Sequence, residues 1–118
     1  MRNFRKLEIW KQGIELVKGV YLLASELPVE EKFGLRSQIT RAAVSVPSNI
    51  AEGCSRNSEI EFKRFLEIAM GSLFELETQI IIIKELGLTE DKDLKILLDF
   101  VSKEGRMING LINTIKKS

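Results

Sequence analysis

Leu7, Trp10, Ile14, Val17, Tyr21 and Ala24 recur at intervals of three and four, the repeat of an apolar seam along a helix. The same segment carries a second apolar line, Ile9, Leu16, Val20, Leu23 and Leu27. At about 100° per residue, the second line is placed on roughly the opposite side of the helix from the first. A helix apolar on two sides needs cover on two sides, one from its own core and the other from a second copy of the chain. The pattern therefore predicts a self-associating helical module, with Ile9, Leu16, Val20, Leu23 and Leu27 as candidate contacts between copies.

Three further helical segments follow. The first helix, from about Lys6 to Glu26, ends ahead of Leu27-Pro28 because a residue before proline avoids helical geometry. The second covers about Phe33 to Gly53, along Leu35, Ile39, Ala42, Ala43, Val46 and Ile50. Pro47 lies inside it, removes a donor and crowds the Ala43 carbonyl, so a kink or break is expected there. The third begins near Ser58, where Ser58-x-x-Glu61 reads as a capping box, and runs through Phe62, Leu66, Ala69, Leu73, Leu76, Ile80 and Ile83 to a stop at Gly87. The fourth starts at Thr89 as N-cap, with Glu90 and Asp91 suited to a helix N-terminus, and follows Leu94, Leu97, Val101, Ile108, Ile112 and Ile115. Gly105 falls on that line and predicts either close helix approach or a weak point. Short connections imply antiparallel neighbours. The expected fold is all-α, an antiparallel up-down-up-down four-helix bundle, with residues 1–118 as one domain.

On the third helix Met70, Phe74 and Ile81 fall about 90–130° from the inner line, and the Ile80–Ile83 run, Ile82 included, wraps most of the circumference. A wide stripe packing two neighbours in one bundle accounts for part of this. The preferred reading adds Met70, Phe74, Ile81 and Ile82 to the surface between copies, because large exposed apolar patches are rare on monomers.

Composition narrows the chemistry. The 118 residues are 44% hydrophobic and 30% charged, an ordinary globular balance. No apolar stretch reaches the roughly 18 residues of a membrane span, and no membrane association is expected. The charged start, MRNFRKLEIWKQG, lacks a signal peptide's hydrophobic segment. Cys54 is the single cysteine, which favours a reduced, cytoplasmic setting. With no histidine, the usual Ser-His-Asp and Cys-His systems and the Glu-x-x-His di-iron site are excluded. Phosphate loops, dinucleotide fingerprints and zinc spacings are missing too. No cofactor, metal or catalytic residue is expected.

The most distinctive stretch is Ile39 to Gly53. Gln38, Arg41, Ser45, Ser48 and Glu52 fall within about 80° of one another, opposite Ile39, Val46 and Ile50. Ser45, Ser48 and Asn49 flank Pro47 and are placed to satisfy the carbonyl it frees. Small residues here (Ala42, Ala43, Ala51) and on the third helix (Ala69, Gly71, Ser72) favour close approach of the two helices. A kinked, tightly packed helix explains most of the stretch, and a polar recognition strip is the sharper alternative.

Arg41-Ala42-Ala43-Val44-Ser45-Val46-Pro47-Ser48-Asn49-Ile50-Ala51-Glu52-Gly53 resembles the signature of a bacterial family of four-helix-bundle proteins first noted in intervening sequences of 23S ribosomal RNA genes. Phe65 to Glu77 is similar to its second block, and Leu7, Trp10, Tyr21 and Phe33-Gly34-Leu35 also match, so the likeness covers nearly the whole chain. The resemblance marks Arg41, Ser45, Pro47, Ser48, Asn49, Glu52 and Gly53 as motif residues. Where the family often has a second arginine before Arg41, this chain has Thr40. The likeness implies a helical bundle with homopentameric relatives. It also implies kinship with the accessory variability protein of diversity-generating retroelements, which binds nucleic acid and a reverse transcriptase through a basic surface. Biochemical function for most of the family is unsettled.

The net charge is +1, which argues against indiscriminate nucleic-acid binding. In an up-down bundle, residues 1–11, 52–67 and 106–118 share one end. There Arg2, Arg5, Lys6, Lys11, Arg56, Lys63, Arg64, Arg106, Lys116 and Lys117 face five acidic residues, a balance of +5. The other end, residues 24–36 and 84–95, balances at −2. A ring of five copies would carry about +25 on one rim. Few aromatic residues are left once the core lines are filled, so contact with RNA or DNA is expected to be backbone-directed through Arg2, Arg5, Lys6, Lys11, Arg56, Lys63, Arg64, Lys116 and Lys117. The alternative is a scaffold that binds protein partners only.

Overall fold

The computed structural model describes residues 1–116, with side chains to Ile115. Two short 3-10 turns, Phe4–Lys6 and Val29–Glu31, accompany four helices. These are α1 (Glu8–Glu26), α2 (Leu35–Cys54), α3 (Glu59–Glu85) and α4 (Asp91–Lys116), and no strand occurs among the described residues. The molecule measures 46 × 22 × 20 Å. At 1.5 Å per residue, the 27-residue α3 is about 40 Å long, so the helices must lie along the long axis. The connector 55–58 spans at most about 14 Å, too little to return along the bundle, so consecutive helices reverse direction. Each helix packs on its sequence neighbour and α4 closes back on α1, while the backbones of the diagonal pairs stay apart among the described residues. This is the expected up-down-up-down four-helix bundle.

The local signals explain the boundaries. The side chain of Asn3 accepts from the Arg5 N–H at 3.1 Å and stabilises a 3-10 turn, so α1 starts at Glu8 and not near Lys6. Leu27 adopts extended backbone ahead of Pro28 and ends α1 where expected. Ser58 Oγ accepts from the Glu61 N–H at 3.0 Å, the N-cap half of the expected capping box. Gly87, at φ 65°, occupies the left-handed geometry that stops α3. Thr89 is not the N-cap of α4. That helix begins at Asp91, one residue too late, and the buried Thr89 hydroxyl makes no hydrogen bond.

The core reverses the expected roles of the two lines on α1. Ile9, Leu16, Val20, Leu23 and Leu27 are all buried within the one subunit, Leu16 and Val20 at 0% exposure. They cannot form a surface between copies, and that assignment is corrected. The physical reason lies in phase and chemistry. The five sit within about 60° of one another at helical spacing, and Trp10, Ile14, Val17 and Tyr21 centre about 110° away, not on the opposite side as expected. Trp and Tyr carry a polar atom that prefers a groove edge to a dry centre. Accordingly Trp10, Ile14 and Val17 are half-buried and Tyr21 is exposed, with only Ala24 of that line buried. On α3, Met70 is half-buried, and Phe74, Ile81 and Ile82 are exposed.

Pro47 does not break α2, whose helical hydrogen-bonding pattern continues from Leu35 to Cys54. Asn49 does not reach the freed Ala43 carbonyl. Its Nδ2 donates to the Ser45 carbonyl at 2.8 Å and to Ser45 Oγ at 2.9 Å. Ser45 Oγ in turn lies 2.7 Å from Ser72 Oγ across the α2–α3 seam. Gly53 allows that seam to close, because a Cβ there would stand 2.8 Å from Phe65 Cβ. Gly105 does not mark close approach, which leaves it as the weak point of the two readings. A Cβ on it would meet only Met70 Cε at 3.9 Å and Leu73 Cδ1 at 4.0 Å.

Candidate nucleic-acid interface at the α2–α3 end

The start of the chain is fastened to the α2–α3 junction. The Arg2 N–H donates to the Cys54 carbonyl at 2.9 Å, and the Arg2 guanidinium grips both Glu59 oxygens at 2.6 and 2.9 Å. That guanidinium also lies 4.0 Å from the Phe62 ring centroid. The paired hydrogen bond and charge hold the Glu59 carboxyl below its ordinary range and raise the Arg2 pKa. Arg56 reaches Glu52 at 3.4 Å and lies 4.9 Å from the Phe65 centroid. Two of the expected contact cations are therefore already engaged by carboxylates.

Arg5, Lys6, Lys11, Lys63 and Arg64 form no ion pair among the described residues. Arg5 stacks on Phe4 at 4.6 Å, and Phe4 meets Trp10 edge-on at 5.0 Å between centroids. The structure thus brings Arg2, Arg5, Lys6, Lys11, Arg56, Lys63 and Arg64 to one end. Arg106 departs from that group. It lies about 15 Å short of the end of α4 by helical rise and donates to Ser102 Oγ, beside Met70 and Phe74. The Lys116 side chain and Lys117 lie outside the described residues. Among the described side chains, seven basic residues face Glu8, Glu52, Glu59, Glu61 and Glu67, a balance of +2, and Arg106 alone is taken away from the expected +5.

Aromatic residues are better placed for contact than core filling implied. Only Phe62 is buried, Phe4, Phe65 and Phe100 are half-buried, and Phe33 and Phe74 are exposed. Between the first 3-10 turn and the end of α2 lies a cavity of about 480 Å³, walled by Asn3, Phe4, Arg5, Ala51, Cys54 and Ser55. Burial raises the pKa of the Cys54 thiol, so it forms an unreactive floor. Of the motif residues, Ser45, Pro47, Asn49 and Gly53 serve helix packing, Glu52 pairs with Arg56, and Arg41 and Ser48 are exposed without partners among the described residues.

Glu104 was hidden from pattern reading. It is 1% exposed, and neither carboxylate oxygen has a hydrogen-bond partner. It reaches from α4 to the point where Gly13 of α1 meets Pro47 of α2. A Cβ on Gly13 would stand 3.2 Å from Pro47 Cβ and 3.4 Å from Glu104 Oε2. Burial first, and the charge of Glu8 second, push its pKa up to about 8. The signal was its register: Glu104 completes the series Leu97, Val101, Ile108 at the spacing of an inward side chain. A neutral carboxyl there holds an O–H donor beside the segment where Pro47 withdraws one.

An all-α bundle with a cation-bearing end defines the class of this protein. The model of the 23S rRNA-intervening sequence protein family matches residues 5–110, and the chain belongs to that family. It is also similar in fold to a crystal structure of a protein of unknown function from the S23 ribosomal protein family of Bacteroides thetaiotaomicron. The TM-score is 0.83 at 20% identity, over 89% of this chain and 95% of that one. No curated protein matches the chain.

Proposed function

We propose that this chain is a non-enzymatic, self-associating helical adaptor that holds the phosphate backbone of RNA or DNA against its α2–α3 end, in the cytoplasm. One observation carries the reading: Arg5, Lys6, Lys11, Lys63 and Arg64 gather at that end with no carboxylate partner among the described residues. Cations left unpaired by their own fold are free to displace the counterions of a phosphate chain. Cations that meet the phosphate backbone make binding salt-sensitive and weakly sequence-selective. Log affinity should fall linearly with log salt, and charge reversal at Arg5, Lys6 and Arg64 together should abolish it. Binding that ignores salt, or survives the triple reversal, refutes the reading.

Self-association rests on α3 now that the α1 line is internal. Phe74 is 65% exposed, and Ile81 and Ile82 are 42% and 40% exposed. Beside Phe74 and Met70 runs a groove of about 380 Å³ floored by Leu73, Val101 and Gly105. Family resemblance favours five copies. The same face supports a second reading, a scaffold for protein partners without nucleic acid. Light scattering with size-exclusion chromatography separates the two, since a ~13 kDa species at micromolar concentration would leave that face free for another protein.

A further inference from the structure

We propose that the cavity beside the first 3-10 turn seats one unpaired nucleotide of a single-stranded nucleic acid, a proposal that rests on the phosphate-binding reading above. Its volume of about 480 Å³ falls within the roughly 300–1,000 Å³ of small-molecule sites. The donors and walls are sorted for such a guest. Arg2 is committed to Glu59, so the free side-chain cation among the described lining residues is Arg5, held 4.6 Å from the Phe4 centroid. Asn3 Oδ1 is occupied by the Arg5 N–H, which leaves the Asn3 amide N–H₂ as a donor. The Ser55 hydroxyl donates to the Glu52 carbonyl, so its oxygen only accepts. Ala51, Cys54 and the Phe4 ring supply apolar wall. A guanidinium and a carboxamide beside an apolar wall suit a phosphate joined to an uncharged planar base.

Two further features favour a polymer over a free small anion. Lys6 and Lys11, near Arg5 along the chain, are exposed and form no ion pair among the described residues, and they offer cations to adjoining phosphates. A base held paired and stacked in a duplex cannot turn into the open pocket between the 3-10 turn and α2, so the site selects single strands.

The experiment uses the whole chain and oligonucleotides of about ten nucleotides, oligo(dT) and oligo(U), against a duplex of equal length. Trp10 is the only tryptophan and packs 5.0 Å from Phe4, so its fluorescence reports occupancy directly. Single strands should change that signal and bind at least tenfold tighter than duplex. Ala51→Leu, which extends a half-exposed side chain into the cavity, should cost at least tenfold with the salt slope retained. Arg5→Ala should weaken binding and reduce the slope by about one. Phe4→Ala, on the 3-10 turn ahead of α1, supplies a second cavity variant should Ala51→Leu unfold. If cavity variants bind as wild type while Arg5→Glu weakens binding, the seat is overturned and the rim reading stands. Duplex binding as tight as single-strand binding also overturns it. Loss of neither contact by any variant overturns both.

Discussion

Replacing Glu104 by Gln should stabilise the protein, and the gain should grow with pH. The carboxyl is enclosed, without a hydrogen-bond partner, and its pKa is about 8 against 4.5 when freely solvated. Below 4.5 both folded and unfolded chains hold the proton, and the group costs nothing through ionisation. Between 4.5 and 8 the unfolded chain releases it and the folded chain does not, so the folded state binds more protons and stability falls as pH rises. The slope approaches about 1.4 kcal/mol per pH unit, which makes the loss roughly 3 kcal/mol by pH 7 and at most about 5 above pH 8. Domains of this size are stable by only about 5–15 kcal/mol, so the effect is large. Urea unfolding followed by far-UV circular dichroism, at about pH 5.5, 7 and 9, measures it against Glu104→Gln, whose amide keeps the shape without the charge. The variant should lead by about 1.4 kcal/mol at pH 5.5, by about 3 at pH 7 and by about 5 at pH 9. The Arg2–Glu59 pair does not mimic this, because its lowered carboxyl pKa affects stability only at acid pH. Parallel pH profiles, or a Gln variant weaker throughout, would show that Glu104 is ionised and paired, and would refute the argument.

Four other outcomes follow from packing and exposure. Gly53→Ala should destabilise by about 1–3 kcal/mol in denaturant melts, because its Cβ would press on Phe65 Cβ at 2.8 Å. Gly105→Ala should instead stabilise by up to about 1 kcal/mol, having open space and the better helix propensity. Leu16→Glu should abolish the helical signal, since it buries a charge at a site of 0% exposure. Phe74→Glu should keep the signal and lower the mass seen by light scattering, and an unchanged mass would remove Phe74 from the contact between copies.

The fold was legible because each helix declares itself in a repeat of three and four and each end has local chemistry. Ser58, Leu27-Pro28 and Gly87 acted where they were expected to act. Which apolar line on α1 faces inward was not legible, because periodicity records that two lines exist and not which one neighbours will cover. Residue type held a clue: Leu16, Val20 and Leu23 have no polar atom, while Trp10 and Tyr21 do. At the candidate interface, location was legible and charge was not. Counting along the chain gave Arg2 and Arg56 full weight, although each finds a carboxylate and an aromatic ring once folded. Arg106 was placed at the end by sequence number, whereas helical rise puts it well inside α4.

Those engaged arginines bear on what the end can do. A guanidinium bound to carboxylate and stacked on a ring is fixed in place, and it shapes the surface more than it attracts phosphate. Arg2 ties the start of the chain to Glu59 and Phe62, which positions the turn carrying Asn3, Phe4 and Arg5. Arg5, Lys6 and Lys11 then stand on a braced segment with their charges unspent. Breaking the brace with Glu59→Gln adds net positive charge, and a purely electrostatic interface would bind more tightly as a result. An interface that depends on the position of the turn would bind less tightly, because the pair that holds Arg2 has lost its charge. The direction of that single change, measured at constant salt, separates attraction from placement.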